Sequence, residues 1–292
     1  MLLLAVAALT LVSPADGAAG AAELPPAVMV VAFNIMEGQH GDRTKLREFL
    51  RPHRHSAVVA LTECNGCPPG AALAAELGFA NAETLMPQSG YGLAVLSPWP
   101  LRVLEALLEG FHHGLLHVAV AGAGGIEVMC YHGAPSGPAQ RNHEAEQIAA
   151  RVRLRGRRPG APPLVLAGDL NMLSPADREH YGGLSTFSGR LRRKFFDGDA
   201  RLPSYRAFEL LLAAGLVDAA HPPGHRTAAL QRTVPALHAD AMHAAPMRLD
   251  YVLVAGAAAG MRCRVKRSFI SDHHPLVCIF WWCRKPRHTG EL

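Results

Sequence analysis

Short apolar runs alternate with longer amphipathic stretches along most of this chain. Residues 27–33 (AVMVVAF), 57–61, 92–96, 115–120, 126–131, 164–167, 249–254 and 275–281 are rich in Val, Leu and Ile and bounded by Gly, Pro or polar residues, the pattern of buried strands. Eight strands are therefore expected. Stretches 44–51, 71–77, 139–153 and 205–214 place apolar residues three and four apart, as in Ile148 and Val152 or Phe208, Leu211 and Leu212, and predict helices. Strands apolar on both faces, with helices interleaved, imply an α/β domain whose sheets are covered on both sides. No period of roughly 20–50 residues recurs, which sets aside solenoids and propellers. The stretch 174–203 is polar and carries the basic segment Gly189-Arg190-Leu191-Arg192-Arg193-Lys194; it reads as a surface excursion between elements.

With 292 residues, 49% of them hydrophobic and 18% charged, the chain can bury a sizeable core, which excludes a disordered or fibrous protein. A net charge of +5 allows polyanionic partners, but there is no long Lys/Arg block of the kind a dedicated nucleic-acid arm carries. Residues 1–12 are almost wholly apolar, too few for a hydrocarbon core that needs about 20. The small residues 17–22 that follow resemble a signal-cleavage region, although no Lys or Arg precedes the apolar run. A signal peptide over 1–22, a folded domain over 23–285 and a tail over 286–292 are expected, in a secreted or periplasmic monomer without a membrane span. Six cysteines permit disulfides. Cys64-x-x-Cys67 has no second CxxC or HxxxH to complete a zinc site, so it reads as a local disulfide or two ordinary thiols.

The strand ends carry the chemistry. Asn34 ends the first strand and Glu63 follows the second; His132 ends the fifth, Asp169 and Asn171 close the sixth, and Asp250 lies in Arg248-Leu249-Asp250-Tyr251. Ser271-Asp272-His273-His274 precedes the last strand. Each residue alone has a structural explanation: a turn for Asn34, a helix start for Glu63, a satisfied core imidazole for His132, a pair with Arg248 for Asp250, an N-cap for Asp272. Together they supply carboxylates, amides and imidazoles at one sheet edge, where ligand sites of layered α/β proteins gather. Asp169 and Asn171, two apart on an extended segment, would point to one side. Such a set suits Mg²⁺ or Mn²⁺ and phosphate chemistry, with His for proton transfer.

These residues stand in an order that resembles the endonuclease/exonuclease/phosphatase superfamily: Phe33-Asn34-Ile35, Leu61-Thr62-Glu63, Tyr131-His132, Gly168-Asp169-Leu170-Asn171, Arg248-Leu249-Asp250-Tyr251 and Ser271-Asp272-His273-His274-Pro275. The resemblance runs from Val28 to about Trp281 and implies a deoxyribonuclease I-like, four-layer α/β/β/α sandwich. It also implies roles. Glu63 resembles the principal Mg²⁺ ligand, with Asn34 and Asp272 as further ligands or phosphate contacts, and Mn²⁺ is an alternative metal. Asp169 resembles the residue that orients or deprotonates the attacking water, and Asn171 an amide on the scissile phosphate. His273, paired with Asp250, resembles the imidazole that acts as base or stabilises the phosphorane, and His132 the histidine that serves the leaving group.

Three departures from the family pattern bear on the site. Pro98-Trp99-Pro100 follows Ser97 where Arg-Tyr-Pro is frequent, and Thr62 replaces the usual Gln before Glu63. No counterpart to a Thr or Arg phosphate contact stands out among residues 226–246. The resemblance implies a Mg²⁺-dependent phosphoester hydrolase acting by in-line water attack, first of all a secreted nuclease or phosphodiesterase, with nucleic acid or another phosphodiester as partner; the basic segment up to Lys194 could track a phosphate backbone. The alternative keeps the site and changes the substrate, to sphingomyelin or an inositol phosphate, for which Trp99, Trp281 and Trp282 are the candidate membrane-touching aromatics, although Trp281 and Trp282 read rather as the end of the core strand. A non-catalytic binding module is disfavoured, because none of the acids or histidines is substituted.

Overall fold

The computed structural model describes residues 27–122, 125–181, 187, 189–222, 233–234, 247–256 and 258–282; the expected signal segment, the tail and Cys283 lie outside them. Two six-stranded sheets form the centre. The first runs in the order β11 (Ala258–Val265), β12 (Leu276–Trp282), β1 (Ala27–Asn34), β2 (Ala57–Thr62), β4 (Leu93–Ser97), β3 (Asn81–Leu85). The second runs β5 (Leu101–Leu107), β6 (Leu115–Val120), β7 (Ile126–Tyr131), β8 (Leu164–Asp169), β10 (Asp250–Ala255), β9 (Val217–Asp218). They repeat one polarity: β1 parallel to β2 between antiparallel β12 and β4, and β7 parallel to β8 between antiparallel β6 and β10.

Alternation along each strand builds the layers, because successive side chains leave opposite faces. Val28, Val30 and Ala32 meet Val118, Val128, Val165 and Val252 between the sheets, each fully buried. Val31 and Phe33 pack outward with Leu46 and Leu50 of α1 (Thr44–Leu50) and Leu73 and Leu77 of α2 (Gly70–Leu77). On the far side Met129, Leu164 and Leu166 meet Ile148 and Val152 of α3 (Pro138–Gly156) and Phe208 and Leu211 of α5 (Arg206–Ala213). Each such aliphatic side chain contributes about 1.5–3 kcal/mol of burial energy, so three apolar layers hold four structural ones together.

The eight strands expected from the sequence are the eight interior ones. The strands it did not predict, β3, β5, β9 and β11, are the four edges. An edge strand is paired on one side only and part exposed, so it can be polar, like Asn81–Leu85 (NAETL), or rich in Ala, Gly and Arg, like Ala258–Val265 (AAGMRCRV).

The reading of 174–203 as a surface excursion is corrected. It contains α4 (Gly189–Phe195) and a core of its own, in which Tyr181, Phe187, Leu191, Phe195 and Phe196 pack with Val234, Met247 and Leu249. Leu191 and Phe195 are four apart on the helix, but the intervening charges Arg192, Arg193 and Lys194 masked that period. Cys64 is joined to Cys67, and Cys263 of β11 to its register partner Cys278 of β12; Cys130 is a buried free thiol.

Candidate functional site

The site forms where the ends of β1, β2, β7, β8 and β10 meet. Asn34 joins the sheets: its Nδ2 donates to Glu63 Oε1 at 3.0 Å and to Asp169 Oδ2 at 3.1 Å. Its Oδ1 accepts from Met36 N at 3.0 Å, so the turn expected of an isolated Asn is present as well. Glu63 Oε2 accepts from Glu37 N at 3.0 Å. Glu63 and Asn171 both sit at positive φ, 57° and 51°, uncommon for non-glycine residues and costing strain that functional sites often store. Gly168, at φ 140°, must be glycine, since a Cβ there would overlap the Tyr131 carbonyl oxygen on β7.

Asp169 and Asn171 do not lie on an extended segment. The backbone N–H of Asn171 folds back to Asp169 Oδ1 at 2.9 Å, an Asx turn, and its Nδ2 donates to the Gly133 carbonyl at 2.9 Å. Asn171 thereby fixes the loop after His132 against the Asp169 turn.

Asp250 stands opposite Asp169 in the β8–β10 ladder and accepts from His273 Nδ1 at 2.7 Å. Thr233 Oγ1 accepts from the backbone N–H groups of Leu249 and Asp250, both at 3.0 Å. That threonine belongs to the stretch in which the sequence showed no contact residue; its isolation among Gln, Arg and Val concealed it. Ser271 Oγ donates to the Asn34 carbonyl at 2.8 Å and holds Asp272 Oδ1 at 3.1 Å, which brings Asp272 to the rim. His274 faces away, its Nδ1 accepting from Ser268 N at 3.3 Å.

His132 Nε2 lies 3.6 Å from Asp169 Oδ2. Around it are residues the sequence did not single out. His113 stacks on the His132 ring at 4.2 Å, and Tyr91 flanks His113 at 5.0 Å. Buried Glu144 on α3 accepts from His112 N, Tyr131 Oη and Ala134 N, which ties the His113 and His132 loops to one helix. Arg141, one turn earlier, donates to the carbonyls of Ala134, Ser136 and Lys194. Buried charge repeating at helical spacing on α3 (Arg141, Glu144) was the available signal; it looked like an ordinary polar helix face.

Burial raises the Glu63 carboxyl above its usual range, against the opposing hydrogen bond from Asn34. Burial alone would lower the His273 imidazolium, but Asp250, then Asp169 and Asp272, lift it to about 10. His132 is pushed down to about 3 by burial and by the His273 charge, and is neutral. The donor set fits a hard divalent cation. Glu63 and Asp169 share one neutral amide, and a cation beside them would offset the desolvation that Glu63 suffers. Among the described residues no trio of His, Cys, Asp or Glu closes into a coordination cage.

Comparisons with known proteins bear on the family and the fold. The endonuclease/exonuclease/phosphatase family model matches residues 31–273. Among solved structures, the AP endonuclease LMAP from Leishmania major superposes with TM-score 0.62 at 16% identity, covering 88% of this chain and 89% of its own. The 3'-5' exonuclease NExo from Neisseria meningitidis gives 0.60 at 19%, covering 87% and 100%. Truncated TDP2 from Caenorhabditis elegans gives 0.59 at 17%, covering 87% and 98%. A search of curated proteins gave no match. These likenesses show a shared α/β sandwich, and the family match adds the chemistry: the chain belongs to the endonuclease/exonuclease/phosphatase family, as an enzyme of its phosphoester-hydrolase type.

Proposed function

We propose that this protein is a divalent-metal-dependent phosphodiesterase, first of all a nuclease, cleaving by in-line attack of water on phosphorus. The observation that carries the reading is the convergence on a single atom. Asp169 Oδ2 lies 3.1 Å from Asn34 Nδ2, 3.6 Å from His132 Nε2 and 3.8 Å from His273 Nε2. A buried carboxylate oxygen ringed by donors is positioned to align a water and take its proton. His273, kept cationic by Asp250, faces the same place and would stabilise charge on a non-bridging oxygen. His132, neutral, would donate a hydrogen bond at the leaving-group side rather than a full proton. Glu63, Asn34 and Asp272 are the residues that would hold Mg²⁺ or Mn²⁺. The ion would supply Lewis-acid neutralisation of the phosphate.

DNA is the first substrate to test. One structural neighbour, NExo from Neisseria, is described as a 3' phosphatase bound to a product DNA hairpin. Trp99, one candidate lipid contact, packs against the inter-sheet core and Gly122, and Trp282 is buried. Among the described residues no helix is long and apolar enough to cross a membrane. Two disulfides together with the apolar N-terminal run support export to an oxidising compartment. Supercoiled plasmid with Mg²⁺ tests the reading: nicking should be abolished by EDTA and by Asp169→Ala. Plasmid left intact by the wild type would overturn the nuclease assignment.

A second reading, hydrolysis of a phospholipid, is favoured by one feature absent from the sequence argument. Phe269, two residues before Ser271 in the loop that leads to Asp272 and His273, is 91% exposed. Release of phosphocholine from sphingomyelin vesicles, lost in Phe269→Ser while soluble diester turnover is kept, would favour lipid over DNA.

A further inference from the structure

Lys194, near the end of α4, is 7% exposed, although Arg190 and Arg193 beside it on the same helix are open to solvent. A buried ammonium is costly unless a carboxylate answers it. Lys194 takes part in none of the ion pairs found among the described residues; its near neighbour is the Phe195 ring, 5.3 Å from Nζ. What it faces at longer range is the site. Burial lowers its pKa to about 8, while Asp169, Glu63 and Asp272 oppose the fall and Arg141 adds to it. Its charge in turn acts on His132.

The backbone at Lys194 is held in place. The Arg141 guanidinium, 3% exposed, is committed to three carbonyls: Ala134 and Ser136 in the loop after His132, and Lys194 itself. The end of α4 is thus fastened to the loop that carries His132, which sets Lys194 next to that loop. Arg141, with its Nη1 and Nη2 committed to these carbonyls, acts through position.

We propose that Lys194 is a substrate-binding residue whose ammonium takes a phosphate oxygen on the His132 side of the site. The inference rests on the phosphoester-hydrolase reading of that site. A cleft lined by Glu63, Asp169 and Asp272 repels an anion, and a metal at Glu63 answers only one side of the phosphate. A compact ammonium at the other side supplies the missing charge as a point contact. Among the described residues its carboxylate neighbours act only across distance, and a bound phosphate would be a close counter-ion.

The test separates this from a structural role. Lys194→Met keeps the length and the contact with Phe195 and removes a buried charge that has no ion-pair partner among the described residues, so it should melt at the same or a higher temperature. It should bind inorganic phosphate, titrated calorimetrically with Mg²⁺ present, at least about tenfold more weakly, and raise KM for bis-p-nitrophenyl phosphate by a similar factor. Lys194→Arg should stay within about threefold of wild type in both. A folded Lys194→Met with unchanged phosphate affinity and KM overturns the proposal. So does a lowered melting temperature with phosphate binding intact, and so does a wild type that binds no phosphate. Lys194-dependent phosphate binding in a protein that hydrolyses no diester would uphold Lys194 and overturn the hydrolase reading instead. Should Lys194→Met not fold, Lys194→Gln carries the same comparison.

Discussion

His273 Nδ1 lies 2.7 Å from Asp250 Oδ2, and Asp250 is the direct ladder partner of Asp169, so the site's imidazolium and its hub carboxylate are set by one register. Burial would make His273 neutral; Asp250 reverses that and lifts it to about 10. A histidine whose folded pKa is raised stabilises the fold fully below the unfolded value near 6.5, and the contribution fades as pH climbs toward 10. In Asp250→Asn burial should win. Ring NMR of the EDTA-treated protein should show His273 protonated past pH 8 in wild type and titrating below the ordinary histidine value in the variant, about two units or more apart. Turnover should fall by about 10²–10⁴. A wild-type His273 that titrates near 6.5 would remove the pair from the mechanism.

The stacked pair His113 and His132 predicts an acid limb of opposite sign. Burial lowers His113 to about 2 and His132 to about 3, so both are neutral in the fold while the unfolded chain protonates below about 6.5. Each should cost up to about 1.4 kcal/mol of stability per pH unit as pH falls from 6.5 toward 3. His113→Phe keeps a ring on His132 and should flatten the decline by roughly half of that pair's share, read from urea midpoints at pH 7, 5 and 4. Parallel curves for wild type and variant would contradict the assignment.

What the sequence revealed and what it hid divide along a physical line. Strands buried on both faces leave long apolar runs, and the strands that carry Asn34, Glu63, His132, Asp169 and Asp250 are all interior, so the site's framework was legible. The edge strands β3, β5, β9 and β11 carry no such run because water covers part of them. Glu144, Arg141, Thr233 and His113 act by reaching backbone groups or rings distant in sequence, and no local pattern encodes that reach. Lys194 reads from the sequence as part of a surface excursion, since composition does not show which cation of four turns inward.

Metal dependence should show in stability as well as turnover. Glu63 is raised by desolvation in the metal-free protein, so neutralising it with Glu63→Gln should leave the EDTA-treated melting temperature unchanged or higher. In the wild type, millimolar Mg²⁺ should raise the melting temperature by mass action, and in the variant that rise should disappear together with at least about 10²-fold of the activity. An equal Mg²⁺-induced rise in both proteins would place the ion elsewhere.

Arg248 opens the segment Arg248-Leu249-Asp250-Tyr251 yet does not face the site. It is fully buried, its Nη2 2.7 Å from both Asp177 Oδ2 and Asp218 Oδ2, with its guanidinium 4.5 Å over the Tyr251 ring. Two carboxylates share one cation, which joins the turn at Pro175–Tyr181 and β9 to the start of β10. Arg248→Met would leave both acids buried without it and should cost about 3–5 kcal/mol. Burial alone would raise Asp177, but His221 and Arg248 hold it below 3.8, so its stabilisation is present above that value and lost as pH falls. In Arg248→Met that acid-dependent loss should shrink, because protonation then relieves a buried charge that has lost its cation. Lysine should not rescue, because one ammonium cannot reproduce the planar fork between two carboxylates. Adding Asp177→Asn and Asp218→Asn to Arg248→Met should recover much of the loss, since the penalty lies in unpaired charge rather than in a missing contact. Urea unfolding followed by circular dichroism decides this: a single-variant loss below about 1 kcal/mol would show that the triad contributes little to the fold.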